Sequence, residues 1–222
     1  MHAICTIEVT GPDAQAFLQG QLTNDLKRLD TEAEILAAWC NAKGRVIWFG
    51  TVRPIDGGFA LSAPRETAND IVSRLTTYRF RSKVELAIVD EGTTVGADFL
   101  VEHGYPFIGA GQLEQFTPHM LNLDLLDAIS FDKGCYTGQE IVARTHYKGA
   151  TKRRTLRFES TLPVNAGDKV TLEGRDIGDV LNVAGNNLLA VVPADKWNEA
   201  LRIGDARLTA IPLPYMTPDS NH

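Results

Sequence analysis

The residues best suited to chemistry lie in one stretch, SFDKGCYTGQEIVARTHYKGATKRR, residues 130–154. Gly134 and Gly138 bracket Cys135, Tyr136 and Thr137. Two glycines four apart permit a tight loop and a close backbone approach to a ligand. Good helix formers follow from Gln139 to Arg144, so a helix starting near Gly138 aims its N-terminal N–H groups at the loop. A thiol placed there, with Lys133 two residues away, has its thiolate favoured. The polar, glycine-rich flanks favour a functional thiol at Cys135 over the common fate of a free cysteine as a small buried hydrophobe. A Cys–His pair using His119 or His146 is a further option for which the sequence offers no adjacency. Cys5 and Cys40 fall in apolar strand-like runs and read as core.

Charge points to the same stretch. The chain has net charge −6, which argues against whole-surface affinity for nucleic acid. Yet Lys133, Arg144, Lys148, Lys152, Arg153, Arg154 and Arg157 face a single acid, Glu140, a local excess of +6. By itself such a run is most often a solvated edge. Its coincidence with the Cys135 loop turns the reading toward a ligand or client surface. Three cysteines without CxxC spacing argue against a disulfide framework and a structural zinc site, and no metal is expected. No apolar run approaches the length of a membrane span, and MHAICTIEVTGPD lacks the features of a secretory signal, so a cytoplasmic location is expected.

The elements that must position this loop are legible from periodicity. Strands are expected at 3–9, 34–40, 45–53, 58–63 and 83–90, with helices at about 13–27 and 65–77. Strands following one another through hairpins with two covering helices suggest an α+β sheet with helices on one face. Residues 91–130 are glycine-rich, with one short amphipathic candidate at about 97–103 and core-facing Leu121, Leu123, Leu125 and Leu126. From 153 onward short β-rich pieces separated by Gly, Asn and Pro read as a small barrel or sandwich, interrupted by a short helix at 194–201. The division is expected near 150, as 1–150 and 151–222, with a frayed tail PYMTPDSNH.

The run KGCYTGQEIVAR closely resembles the signature of the YgfZ family, folate-binding proteins related to the T-protein (aminomethyltransferase) of the glycine cleavage system. TGPDAQAFLQGQLTNDL (10–26), WCNAKGRVI (39–47) and FLVEHGYPFIG (99–109) followed by FTPHMLNLDLLDAISF resemble other family segments, as do Tyr147, Gly149, Lys152 and Arg153. The resemblance covers most of residues 4–158. It implies the T-protein/YgfZ-like fold with a mixed antiparallel sheet, helices and a C-terminal β-barrel. It also implies a tetrahydrofolate-binding accessory protein that supports assembly or repair of iron–sulfur clusters in client enzymes, including tRNA-modifying ones. The family cysteine is here Cys135, and Lys133, Gly134, Tyr136, Gly138, Gln139, Glu140 and Arg144 carry over with it. Glu102 matches the place where T-proteins present a carboxylate to the pterin, and a carboxylate suits a 2-amino-pyrimidinone edge because it accepts two N–H bonds. Lys152 and Arg153 join the expected ligand-facing set, and a basic rim suits an acidic folate tail.

Two departures from the family pattern stand out. T-proteins place a catalytic aspartate after the hairpin, whereas Val46-Ile47-Trp48-Phe49 contains no acid, which disfavours aminomethyl transfer. Longer relatives also carry an additional segment where only EGTTVGAD connects Asp90 to Phe99, so this chain reads as a shortened member. Two rival functions remain: folate-dependent one-carbon transfer with Cys135 as nucleophile, and, more weakly, a tRNA-binding module using Lys148, Lys152, Arg153 and Arg154 with Tyr136 and Tyr147.

Overall fold

Alternation along the first strand decides the architecture. In β1 (His2–Thr10) Cys5, Ile7 and Val9 are buried on one face while the intervening residues point to the other. The computed structural model describes residues 1–149 and 151–216, with Lys148 as backbone only. β1 pairs antiparallel with β4 (Gly58–Pro64) and β5 (Glu85–Val89), and β4 continues through β3 (Val46–Ile55) to β2 (Ile35–Cys40), giving the order β2-β3-β4-β1-β5. A two-residue β6 (Thr94–Val95) adds to the start of β1.

Helices α1 (Ala14–Gln19) and α2 (Ala68–Arg79) cover one face of this sheet. Phe17, Leu18, Ala68, Ile71 and Leu75 pack there on Ile7, Val9, Ala37, Trp39 and Leu61. The helix expected over 13–27 ends at Gln19. Thr23 and Asn24 explain why: their side chains bond to backbone elsewhere, which competes with helix formation. Thr23 Oγ1 donates to Ala128 O (2.7 Å) and accepts from Ala38 N, and Asn24 Nδ2 donates to Leu36 O and Asp127 O (2.7 and 2.8 Å). A 3₁₀ turn, Leu26–Asp30, follows.

The other sheet face meets α3 (Ala97–His103), an irregular but well-bonded stretch, α4 (Gln139–Lys148) and the barrel. Leu121 and Leu123 are fully buried there and Leu126 packs against them, whereas Leu125 stays at the half-buried margin. The barrel closes in the order β10-β7-β12-β11-β8-β9, from β7 (Arg153–Ser160), β8 (Lys169–Leu172), β9 (Arg175–Ala184), β10 (Asn187–Pro193), β11 (Arg202–Ile203) and β12 (Ala206–Ile211). Strand β10 serves two cores at once: Leu188, Ala190 and Val192 fill the barrel, while Leu189 and Val191 pack outward against the second core. This is the α+β fold with an antiparallel sheet and a closed six-stranded barrel that the sequence implies.

Two further expectations are corrected. The helix at 194–201 is only a 3₁₀ turn, Ala194–Lys196, because the chain must extend into β11, which bridges β12 and β8 and closes the barrel. The tail is not frayed over Pro214–Met216: Tyr215 Oη donates to Gly104 O (2.9 Å) and Leu213 is buried. The remainder of that tail, 217–222, lies outside the described residues. No helix among the described residues is long and apolar enough to cross a membrane.

Candidate functional site

The Cys135 loop is built on two supports. The first is the Gln19–Asn24 crossing. Lys133 Nζ donates to Gln19 O, Leu22 O and Asn24 O at 2.8, 2.7 and 2.9 Å. Ser130 N donates to Thr23 O and Thr137 N to Gly20 O, and Thr137 Oγ1 donates to Gln21 Oε1. The second support is the hairpin turn between β2 and β3. Gly138 adopts φ +82°, and a Cβ there would lie 2.5 Å from Asn41 O and 3.2 Å from Gly44 Cα. Gly44, at φ +66°, in turn leaves space for Ile141 of α4. The two glycine motifs interlock, and each requires its glycine for backbone conformation and for close approach. Gln139 closes the turn: its Oε1 accepts from Tyr136 N and its N–H donates to Tyr136 O.

On this platform Cys135 is exposed, in contrast to the buried Cys5 and Cys40. Burial pushes the Cys40 thiol up to about 12. Tyr136 is buried beside it, its phenol also pushed well up by desolvation, with the Lys133 ammonium 5.2 Å from its ring centroid. Lys133, expected to favour the Cys135 thiolate, commits its hydrogens to the Gln19–Asn24 crossing. An ammonium has three hydrogens, and here three carbonyls take them. Lys133 is a buried anchor, and burial lowers its pKa from 10.5 to about 8. Gly134 sits in open space, where a Cβ would meet nothing within 4 Å. Glu140 and Arg144 are exposed on α4.

The basic segment is less available than its sequence suggests. Arg154 forms a two-pronged pair with Asp124 (2.6 and 3.0 Å), and Arg153 pairs with Asp179 (3.2 Å) and donates to Val191 O. Arg157 reaches Glu102 O and Asn187 Oδ1. Together with buried Lys133, these residues tie the barrel and the loop to the rest of the fold. Arg144 and Lys152 are exposed without an ion pair among the described residues. Of the two histidines considered as thiol partners, His119 is buried with both ring nitrogens unpartnered, and its ring lies 6.2 Å from that of His146, which stacks on Phe131 at 3.7 Å.

A separate cavity of about 390 Å³ opens on the sheet face opposite α1 and α2. Its floor is Leu36, Phe49, Thr51 and Ser62. Its wall is formed by Phe99, Tyr105 and Phe107, and Glu34 stands at its edge. Asn182 of β9 holds the wall: its Oδ1 accepts from Phe107 N (2.9 Å) and its Nδ2 donates to Phe107 O (3.0 Å). Phe99, His103 and Tyr105 stack upon one another. Such a lining suits a flat, largely apolar molecule with a few hydrogen-bonding atoms. Neither Glu102, which is exposed on α3, nor Cys135 lines it. Two hydrogen-bonded links join cavity floor and loop: Leu36 O accepts from Asn24, and Asn24 O accepts from Lys133. The hairpin residues Val46, Ile47, Trp48 and Phe49 are all buried apolar side chains, so no carboxylate stands there. Sequence reasoning missed Glu34, Thr51 and Ser62. For Thr51 and Ser62 the signal was the parity of the strands, which places them opposite the helix-covered face.

Residues 152–218 match the family described as CAF17, C-terminal beta-barrel domain. The chain is 29% identical to tRNA-modifying protein YgfZ of Klebsiella pneumoniae (strain 342) over 296 aligned positions, covering 96% of this chain and 90% of the relative. It is 30% identical to tRNA-modifying protein YgfZ of Escherichia coli O157:H7 over 216 positions, covering 65% of this chain and 66% of the relative. The first alignment has more positions than the 222 residues of this chain, so that relative carries length that this chain lacks. Among solved structures, the glycine cleavage system aminomethyltransferase T from Bartonella henselae superposes with a TM-score of 0.70 at 13% identity, covering 96% of this chain and 84% of that one. The chain is thus a YgfZ homologue, with a CAF17-type C-terminal barrel on the fold of the glycine cleavage T-protein.

Proposed function

We propose that the chain is a cytoplasmic tetrahydrofolate-binding accessory protein that supports assembly or repair of iron–sulfur clusters in client enzymes, tRNA-modifying ones among them. In this reading residues 1–150 carry the folate site and 151–222 form a supporting barrel. The observation that carries the reading is the sheet-face cavity. Its volume of about 390 Å³ falls in the range of small-molecule sites, its walls are aromatic, and it has a carboxylate at its edge. A pterin is flat, stacks on aromatic rings and presents N–H donors along one side, so the residues present fit the group. Among the described side chains of the basic segment, Arg144 and Lys152 are the exposed cations without an ion pair and are left to meet an acidic folate tail.

Cys135 supplies the second half of the reading. It is an exposed thiol on a loop clamped by Lys133 and Gly138, accessible to a client or to sulfur and iron chemistry. The relatives' name, tRNA-modifying protein YgfZ, agrees with clients of that kind. One-carbon transfer is less well supported, since the hairpin has no acid and Lys133 no free hydrogen. Incubation with methylene-tetrahydrofolate followed by mass spectrometry tests it, because a transferase using Cys135 leaves an adduct there. A tRNA-binding face is weakened by the internal pairing of Arg153 and Arg154.

Calorimetric titration with tetrahydrofolate tests the folate half, with micromolar binding expected. No heat at high micromolar ligand refutes it. For the thiol, cells carrying Cys135→Ala in place of the wild-type chain are expected to lose cluster-dependent tRNA modification. Undiminished modified nucleosides in those cells refute a role for Cys135.

A further inference from the structure

We propose that Glu34 is the carboxylate that reads the donor edge of a 2-amino-pyrimidinone heterocycle in the sheet-face cavity, the role that the family resemblance assigns to Glu102. The inference rests on the folate reading and deepens it by naming the recognising residue.

Glu34 immediately precedes β2 and lines the cavity. Ile35, Ala37 and Trp39 are buried toward α1 and α2, so Leu36 belongs to the opposite face, and Glu34 joins it in the cavity lining. Leu36 stands across from Thr51 on β3, and all three residues line the cavity. Glu34 is the only charged residue lining it, and the carboxylate has no ion pair or hydrogen bond among the described residues. It is therefore an acceptor whose valences are open.

A complementary donor lies on the same floor. Ser62 Oγ accepts from Thr51 N (2.9 Å) and Thr51 Oγ1 (3.0 Å), which leaves its own O–H to donate. A 2-amino-4-oxo ring needs this pair: an acceptor for N3–H and the 2-amino group, and a donor for O4. Phe99, 49% exposed at the rim, offers a ring face for stacking. Glu102 lies outside the lining, and its backbone oxygen faces Arg157 of the barrel.

The test is calorimetric titration of the full chain with 5-formyltetrahydrofolate and with its 2-desamino analogue. Wild type, Glu34→Gln and Glu102→Gln are compared. Both glutamates are exposed, so all three proteins are expected to melt within about 2 °C of one another. Glu34→Gln is expected to bind 5-formyltetrahydrofolate about tenfold more weakly or worse, the worth of a charged hydrogen bond. Glu102→Gln is expected to stay within about twofold of wild type. Removing the 2-amino group is expected to weaken wild type but to leave Glu34→Gln nearly unchanged, a pattern that a merely structural Glu34 does not give. Wild-type affinity in Glu34→Gln overturns the inference alone and leaves Glu34 a solvated edge carboxylate. A loss confined to Glu102→Gln overturns it in favour of the family assignment. No binding by wild type overturns the folate reading and the inference with it.

Discussion

Replacing Lys133 by Met removes the ammonium that three backbone carbonyls share and leaves Gln19 O, Leu22 O and Asn24 O without their donor. Hydrogen bonds to a charged group contribute about 1.5–3 kcal/mol each. Against them stands the cost of burying the charge. A pKa lowered from 10.5 to about 8 corresponds to about 3 kcal/mol. The difference gives a net loss of about 1.5–6 kcal/mol at pH 7, or about 3–24 °C in Tm for a chain of this size. The pH dependence separates the two contributions. Below about 8 the folded and unfolded chains both hold the proton, so the burial cost is fully present. Between about 8 and 10.5 the folded state releases the proton while the unfolded state keeps it. The unfolded state then binds more protons, and stability rises with pH. Urea denaturation of wild type and Lys133→Met from about pH 7 to 9.5 is expected to show wild type gaining about 2 kcal/mol relative to the variant. The variant serves as the reference because other groups titrate equally in both proteins. A gap that stays constant refutes the burial argument, and a Tm change under about 1 °C refutes the anchoring role itself.

The two glycines of the loop are expected to part company. Gly138→Ala forces a side chain into φ +82° and against Asn41 O, costing about 2–4 kcal/mol, whereas Gly134→Ala stays within about 0.5 kcal/mol by denaturant unfolding. Brief alkylation of the native protein at pH 8 is expected to label Cys135 alone, with Cys5 and Cys40 reacting only after denaturation, and peptide mapping reads the site. His119 is held neutral by burial, with Asp124 opposing and Arg154 and His146 adding to the lowering of its pKa. Because its folded pKa lies below 6.5, stability falls as pH drops through 6.5, where the unfolded chain takes the proton first. His119→Phe is expected to unfold with a shallower acid slope than wild type, and an equal slope in both proteins refutes the assignment.

How much of this was legible depends on how local each determinant is. The loop around Cys135 was readable because its needs are local: a left-handed residue at 138, a helix start at 139, and a glycine in the facing hairpin. Lys133 was recognised as a site residue without its anchoring contacts, since its acceptors lie more than 100 residues away and nothing in KGC reveals them. Arg153 and Arg154 misled for the same reason: a basic run in sequence reads as a basic surface until Asp179 and Asp124 come into place.

The cavity was invisible for a stronger reason. Its floor comes from residues of β2, β3 and β4 whose parity matters only once the sheet exists, and its wall is fixed by Asn182 of the barrel, 75 residues beyond Phe107. The outward face of β10 fills the core beneath the wall, and Asn182 bonds both backbone groups of Phe107. The barrel therefore acts on the candidate ligand site without lining it. Asn24 does the same from the opposite side, donating to Leu36 in the floor while its own carbonyl accepts from Lys133 under the Cys135 loop. Cavity and thiol share no residue, yet the same buried hydrogen bonds hold both, so a change that loosens the anchor at Lys133 reaches the cavity floor in two steps.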